Sequence, residues 1–379
     1  MKRIFLAALV VLFIPALASA RPPLLKNGPW LQHATRTSIT IMWETAVECD
    51  ASVRYGETVP LPRTVSAPGK SRIHAVELTG LQPETGYFYQ VRSQCGPLAV
   101  ISSVHPFQTA VNAGTPFGFA VIGDTQTNVS VSRRIFRAVY TERPNFVLHV
   151  GDEVGDGNQK FLWTREFFRP GAALMARVPV WVAIGNHEEN SHWFYDYHSY
   201  PAPENYYSFD YGDAHFCMVD SNQPLDPGSP VYRWLSADLA ASTAPWKFVC
   251  HHHAPYSSDV DDYGDTHREK STLGDEKVRQ LVPLYERYGV DVVFYGHIHD
   301  YERTLPLRAG KYDPTGVVYV QTGGAGGGLE DYAPNHSAFT AKVMREHHYC
   351  MVTIAGNRLS LQAIDIKGRL FDQFEIVKK

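Results

Sequence analysis

Five apolar runs in this chain end alike. Residues 117–122 stop at Gly123-Asp124, 144–150 at Gly151-Asp152, and 179–184 at Gly185-Asn186-His187-Glu188. Residues 246–250 run into His251-His252-His253, and 290–295 into Gly296-His297-Ile298-His299. Short runs that are apolar at every position read as strands covered on both faces. Helical stretches lie between them: 130–142 with Ile135, Ala138 and Val139 on one face, segments from 158 to 177 broken by Pro170-Gly171, then 231–241 and the amphipathic 276–288. Strands alternating with helices give a layered α/β fold, and such folds gather polar site residues at the carboxyl ends of their strands. Residues 207–216 read as a hairpin leading into a strand that ends at Asp220, and 348–377 as a β-rich tail.

Each of these strand ends has an ordinary reading. An Asp after glycine is a turn or helix cap, and three histidines in a row make a solvated bend. Together, at one kind of structural position, they read as a metal site. His297 and His299 face one spot if the chain stays extended past Gly296. Carboxylate, amide oxygen and imidazole suit Zn, Mn, Fe or Co and not a thiolate site. Two carboxylates, one amide and three histidines exceed what one catalytic ion with open positions takes. They suit two ions sharing a carboxylate, about 3.5–4 Å apart, which activate a hydroxide and clamp the oxygens of an in-line phosphoryl displacement.

The amino terminus differs. Lys2 and Arg3 precede an apolar run, and Ala18-Ser19-Ala20 ends it. This reads as a signal peptide over 1–20, cleaved after Ala20, with an uncleaved anchor as the other reading. No later segment offers a membrane span, so the expectation is a secreted or periplasmic protein without stable membrane insertion. Residues 29–109 alternate in short β runs separated by turns, as in a β-sandwich. Cys217, Cys250 and Cys350 sit in apolar runs and read as buried thiols. Cys49 and Cys95 either pair in an oxidising compartment or stay apart; spacing does not decide it. The aromatic-rich stretch 191–213 is either a loop over the site or a packed connection. The formal net charge of −4 falls by two more without Lys2 and Arg3, which argues against nucleic acid as a partner but not against a small phosphorylated substrate beside metal ions.

The five blocks, Gly123-Asp124, Gly151-Asp152, Gly185-Asn186-His187-Glu188, Val249-Cys250-His251-His252 and Gly296-His297-Ile298-His299, resemble those of the calcineurin-like metallophosphoesterases. The continuation Asp300-Tyr301-Glu302-Arg303 is similar to that of the purple acid phosphatases, and Leu78 to Tyr89 looks like the corner of a fibronectin type III module. The resemblance implies a fibronectin III-like β-sandwich over 25–112, then a four-layer α/β/β/α catalytic domain over 113–379. It implies two divalent or mixed-valence ions (Fe, Zn or Mn). Asp124, Asp152 and His299 would hold one; Asp152, Asn186, His252 and His297 the other. His187 would stabilise the phosphoryl group or protonate the leaving alcohol, and His267 would contact substrate. The family's spacing implies His252, three residues after Val249, in preference to its neighbours; by alternation His251 and His253 point the other way. The implied activity is phosphomonoester hydrolysis. A phosphodiesterase or nucleotidase with the same site is the alternative, and an inactive binding protein working through the sandwich module a second.

Two positions depart from the pattern. Purple acid phosphatases have a tyrosine ligand for ferric iron three residues after the second Asp; here that residue is Gly155. Gln126 stands where many relatives outside the purple subgroup have a histidine ligand, and its amide oxygen could bind weakly. The expectation is a colourless or weakly coloured enzyme with a pH optimum above the acid range. The glycine run 323–328 lacks the Lys-Ser/Thr of a P-loop and reads as a turn packed under the site.

Overall fold

The computed structural model describes residues 25–379; the leader expected at 1–20 lies outside the described residues. Two six- and seven-stranded sheets form the body of the chain after residue 116. The first runs in the order Leu370–Val377, Arg358–Asp365, His348–Ala355, Phe117–Ile122, Phe146–His149, Val180–Val182. The second runs Tyr207–Tyr211, Ala214–Met218, Trp246–Cys250, Val292–Tyr295, Val318–Thr322, Tyr301–Thr304, Thr340–Met344.

Alternation along the strands decides how the sheets stack. Phe216, Phe248, Val292 and Phe294 point into one cluster with Phe119 and Phe146 of the first sheet, while Cys217, Val249, Val293 and Tyr295 point into another. Side chains of a strand alternate between faces, so the first cluster lies between the sheets and the second on the far face. The interface is aromatic: Phe119 lies 5.0 Å from Phe146 and 5.5 Å from Phe248, and Phe216 lies 4.8 Å from Phe248. Ile135, Phe136 and Val139 of the helix Val129–Glu142 cover the outer face of the first sheet. Leu235 and Leu239 of Pro230–Ala241 and Leu284 and Tyr285 of Val282–Tyr288 cover the outer face of the second. The result is a four-layer α/β/β/α arrangement.

Two helical expectations need correction. The 158–177 region is not broken at Pro170. It stays helical as Lys160–Leu162, a π segment Trp163–Phe168, and Arg169–Met175. Pro170 falls in the first turn of the last segment, where a missing N–H costs little, and the wider π turn absorbs it. The 276–288 stretch begins as a 3-10 turn, Val278–Leu281, before the α-helix.

The amino-terminal domain is strand-rich. The first half of Ser38–Gly56 pairs with Leu25–Gln32 and the end of Arg63–Thr79; its second half pairs with the start of Arg63–Thr79 and with Gly86–Cys95. The switch falls at a register shift between Glu44 and Cys49, the kind of irregularity that bends a strand. Cys49 and Cys95 form a disulfide here, while Cys217, Cys250 and Cys350 are buried free thiols. The aromatic stretch 191–213 is a packed connection to this domain. Its helix His192–Tyr197 presents the Tyr197 carbonyl to Trp30 Nε1 (3.2 Å), and the Tyr197 hydroxyl donates to buried Glu44 (3.0 Å).

One ion-pair cluster away from the strand ends has a testable pH signature. His215 sits between Asp210 of the neighbouring strand and Asp238 of Pro230–Ala241, 2.8 Å from each. Burial disfavours its charged form, but the two carboxylates outweigh burial and raise its pKa to about 9. A folded pKa above the ordinary 6.5 gives stability that is complete below about 6.5 and is lost as pH rises through about 9. Because Asp210 is largely exposed, the contribution should be roughly 1–2 kcal/mol. Urea unfolding of the parent and His215→Gln should differ by that amount near about pH 6 and converge near about pH 10.

Candidate metal centre

The strands Phe117–Ile122, Phe146–His149 and Val180–Val182 are mutually parallel, as are Trp246–Cys250 and Val292–Tyr295. Their carboxyl ends meet where the sheets face each other, and the chain leaves each strand in a tight turn. Asp124, Asp152 and His297 adopt left-handed backbone angles, with φ of 59°, 57° and 71°. For residues with a Cβ this costs of order 1 kcal/mol apiece and marks a constrained site. The turns aim backbone N–H groups inward. His297 N–H donates to both Asp124 oxygens (3.0 and 3.2 Å), and His187 N–H donates to Asp152 Oδ1 (2.9 Å). Two of the strand-end glycines now have a reason. A Cβ on Gly185 would collide with the Asp152 carboxylate, and one on Gly296 with that of Asp124.

The side chains anticipated from the strand ends do converge. Ligand atoms of Asp124, Asp152 and His252 lie within 4.8 Å of one another, all buried. His252 Nε2 is 3.1 Å from Asp152 Oδ2, and His299 Nε2 is 3.6 Å from Asp124 Oδ1. Asn186 Oδ1 is 3.0 Å from His297 Nδ1. The Gln126 amide lies between Asp152 Oδ2 and His299 Nε2, 3.3 Å from each. His187 Nε2 stands 3.9 Å from Asp152 Oδ2 with its side chain 43% exposed, at the mouth of the group.

Backbone acceptors fix three of the imidazoles. His252 Nδ1 donates to Val150 O (2.9 Å), His299 Nδ1 to Gly328 O (2.8 Å) and His187 Nδ1 to Gly155 O (2.9 Å). Each therefore turns Nε2 toward the centre, the orientation a ligating or proton-transferring imidazole needs. Burial pushes the Asp124 carboxyl up, against His299 and His252. Burial also acts on Asp152, but His252 and the His187 N–H overcome it and hold that carboxyl well below the usual range. Against the burial of both rings, Asp152 and Asp124 raise His252 to about 10, and Asp124 and Glu330 raise His299 to about 9.

Two expected positions stand apart from the others. His267 is exposed on the loop after Tyr256 and its backbone N–H caps Asp265; among the described residues no contact joins it to the centre. Asp262, on the same loop, reaches in and lies 3.2 Å from His297 Nε2. His251 does point away, between Tyr285 and Tyr295, but His253 does not: its ring is 4.6 Å from that of His297, and its Nδ1 meets Ser221 Oγ at 2.8 Å. Strand alternation ends at Cys250, and the bend at 252–253 turns both rings to one side.

Three supporting residues had no assigned role in the sequence, although Glu188 and Glu302 lie inside the quoted motifs. Glu188 is buried and accepts the backbone N–H groups of Gly185 (2.7 Å), Asp152 (2.9 Å), Glu153 (2.8 Å) and Val154 (3.4 Å). It staples the loop of Asp152 to the loop of Asn186. Glu330 accepts His299 N–H at 2.6 Å. Glu302, buried, accepts Ser258 N–H and Oγ, both at 2.7 Å, anchoring the loop that delivers Asp262. The glycine run 323–328 packs beneath: a Cβ on Gly327 would press the His299 ring at 2.5 Å.

The donor set fits cations. Two buried carboxylates side by side are costly without countercharge, and two buried atoms aimed inward, His252 Nε2 and Gln126 Oε1, have no hydrogen-bond partner. The other cluster of ligating side chains among the described residues, His215, Cys217 and Asp238, is closed by its own hydrogen bonds.

Comparison with known proteins places this geometry. Residues 117–301 match the calcineurin-like phosphoesterase family, and residues 29–109 match the purple acid phosphatase N-terminal domain. The chain is 31% identical to purple acid phosphatase 15 of Arabidopsis thaliana over 70% of its own length and 55% of that protein, so it spans about half of that relative. It is 30% identical to a nucleotide pyrophosphatase/phosphodiesterase of Hordeum vulgare, over 61% of this chain and 72% of that one. The fold matches the structure of purple acid phosphatase PPD1 from yellow lupin (Lupinus luteus) seeds, with a TM-score of 0.80 at 20% identity, covering 93% of this chain and 74% of that chain.

Proposed function

Because the chain belongs to the calcineurin-like phosphoesterase family and carries the purple acid phosphatase N-terminal domain, we propose that it is an exported phosphatase hydrolysing small phosphomonoesters at a two-metal centre. The observation that carries this reading is the buried Asp124–Asp152–His252 group with Asn186, His297 and His299 gathered around it. In this reading Asp124, Asp152, His299 and the weaker donor Gln126 form one half of the donor set. Asp152, Asn186, His252 and His297 form the other, with Asp152 shared. Two ions (Fe, Zn or Mn), when bound, would neutralise the phosphoryl oxygens and activate water at neutral pH.

The chain's own residues do the rest. His187, half-exposed and held through Nδ1 by Gly155 O, offers Nε2 to hydrogen-bond a phosphoryl oxygen or pass a proton to the departing alcohol. Asp262 orients His297 and Glu330 restrains His299, as carboxylates commonly do for ligating imidazoles. Export rests on the leader read at 1–20; an N-terminus at Arg21 on protein recovered outside the cytoplasm is the expected result.

A second reading has one specific support. The barley relative is named a nucleotide pyrophosphatase/phosphodiesterase, which points to diesters. Metal-loaded protein assayed on p-nitrophenyl phosphate and on its bis-ester separates the two. A faster monoester supports the first reading and a faster diester the second, while inactivity on both argues for the binding-protein alternative. A further prediction concerns colour. Gly155 supplies a carbonyl to His187 and no phenolate, so loaded protein is expected to lack an intense visible charge-transfer band. A strong band that bleaches on reduction would contradict it.

A further inference from the structure

The helical layer outside the first sheet takes no part in the metal centre, yet it segregates charge. Arg133, Arg134 and Arg137 project from Val129–Glu142, and Arg143 caps that helix. Arg165, Arg169 and Arg177 lie on and just beyond the adjoining helical run. All seven are exposed. None is among the arginines ion-paired to a carboxylate in the described residues, which are Arg268, Arg303, Arg308, Arg345, Arg358 and Arg369, all elsewhere.

The carboxylates of the layer are occupied. Glu142 accepts from the Tyr349 hydroxyl (2.8 Å), and Glu166 turns inward to Gly155 N–H (2.9 Å). In a chain of net charge −4 these seven arginines therefore form a positive face without carboxylate partners among the described residues, while Lys26 and Lys160 at its edge both pair with Glu44 (3.2 and 2.9 Å). Phe161 stands within it, 57% exposed, between Lys160 and Arg165. Beside it is a cavity of about 460 Å³ lined by Lys26, Lys160, Arg165 and Arg169, and a second of about 340 Å³ has an apolar floor of Phe136, Pro170 and Leu174 under Arg133 and Arg137.

We propose that this face docks the protein peripherally on an anionic phospholipid surface. The arginines would pair with headgroup phosphates, a geometry the guanidinium fork favours, and Phe161 would enter the interfacial layer. The exposed phenylalanine favours a bilayer over a soluble polyanion. Cations alone satisfy a polyanion that has no rings to stack on, whereas an aromatic ring amid cations gains by entering an apolar layer. Attachment through this face is peripheral and reversible by salt; no helix of the described residues is long and apolar enough to cross a membrane.

The test is co-sedimentation of the whole metal-loaded protein with vesicles of phosphatidylcholine alone and with added phosphatidylglycerol. Binding should rise roughly tenfold or more with the anionic lipid at low salt and fall at high salt. The double variant Arg165→Glu/Arg169→Glu should lose roughly tenfold of that binding, and Phe161→Ser several-fold at unchanged charge, both with parental thermal unfolding. If the first pair unfolds, Arg133→Glu/Arg137→Glu replaces it with the same expectation. Equal binding to both vesicle types, or parental binding by a folded charge-reversal variant, would overturn the proposal. Parental vesicle binding by Phe161→Ser would overturn the entry of the ring into the interfacial layer and leave a purely electrostatic contact.

Discussion

Replacing Asp152 with alanine is expected to lower kcat on an aryl phosphate monoester by roughly a thousandfold or more, about 4 kcal/mol of transition-state stabilisation. The Asp152 carboxylate joins both halves of the donor set. Its Oδ2 lies 3.1 Å from His252 Nε2, 3.3 Å from the Gln126 amide and 3.9 Å from His187 Nε2, and its Oδ1 accepts the His187 N–H. The variant removes the shared ligand and releases His187 together. It also leaves His252, with Nε2 already lacking a hydrogen-bond partner, buried without its carboxylate. Asn at this position keeps an oxygen for the His187 N–H but loses the charge. Asp152→Asn should therefore fold like the parent and remain nearly as inactive, separating the ligand role from a structural one.

Glu188→Ala should cost about 4 kcal/mol of folding stability and weaken metal binding, although Glu188 is not among the proposed ligands. Four backbone N–H groups converge on its carboxylate inside the protein. A buried donor without an acceptor costs about 1–3 kcal/mol, and water admitted by the smaller side chain recovers part of the sum. Those donors belong to the loops of Asp152 and Asn186, so the ligands on both lose their fixed spacing. Chemical denaturation with metal chelated isolates the stability loss; titration of the apoprotein with Mn²⁺ or Zn²⁺ reads the affinity. A Glu188→Ala protein as stable as the parent would remove the staple from the account.

The strand ends were legible because two physical rules act there together. Apolar runs mark strands buried on both faces, and glycine marks where a backbone must pass a carboxylate, as Gly185 and Gly296 do. The helix 129–142 was legible from its apolar stripe. What escaped reading comes from loops, where no period exists. Asp262 reaches His297 from 35 residues away in sequence, and Glu330 reaches His299 across 31; neither separation follows from any local pattern. The resemblance points to His267 on that loop and carries no sign of Asp262. His253 was assigned by alternation past the point where the strand stops. The π segment at Trp163–Phe168 hid the continuity of its helix, since Pro-Gly ordinarily ends one. The positive face was present in the sequence as scattered arginines; only the packing of 129–142 against 169–175 makes it one surface.

The central claim is that His297 and His299, with one residue between them, serve different ions across a shared Asp152. Elemental analysis of purified protein after saturation with a single metal and removal of excess tests it most directly. The account predicts two ions per chain in the parent, one in His299→Ala with the Asp152–His252 half retained, and none held stably in Asp152→Ala. One ion per chain in the parent, or two in Asp152→Ala, would contradict it.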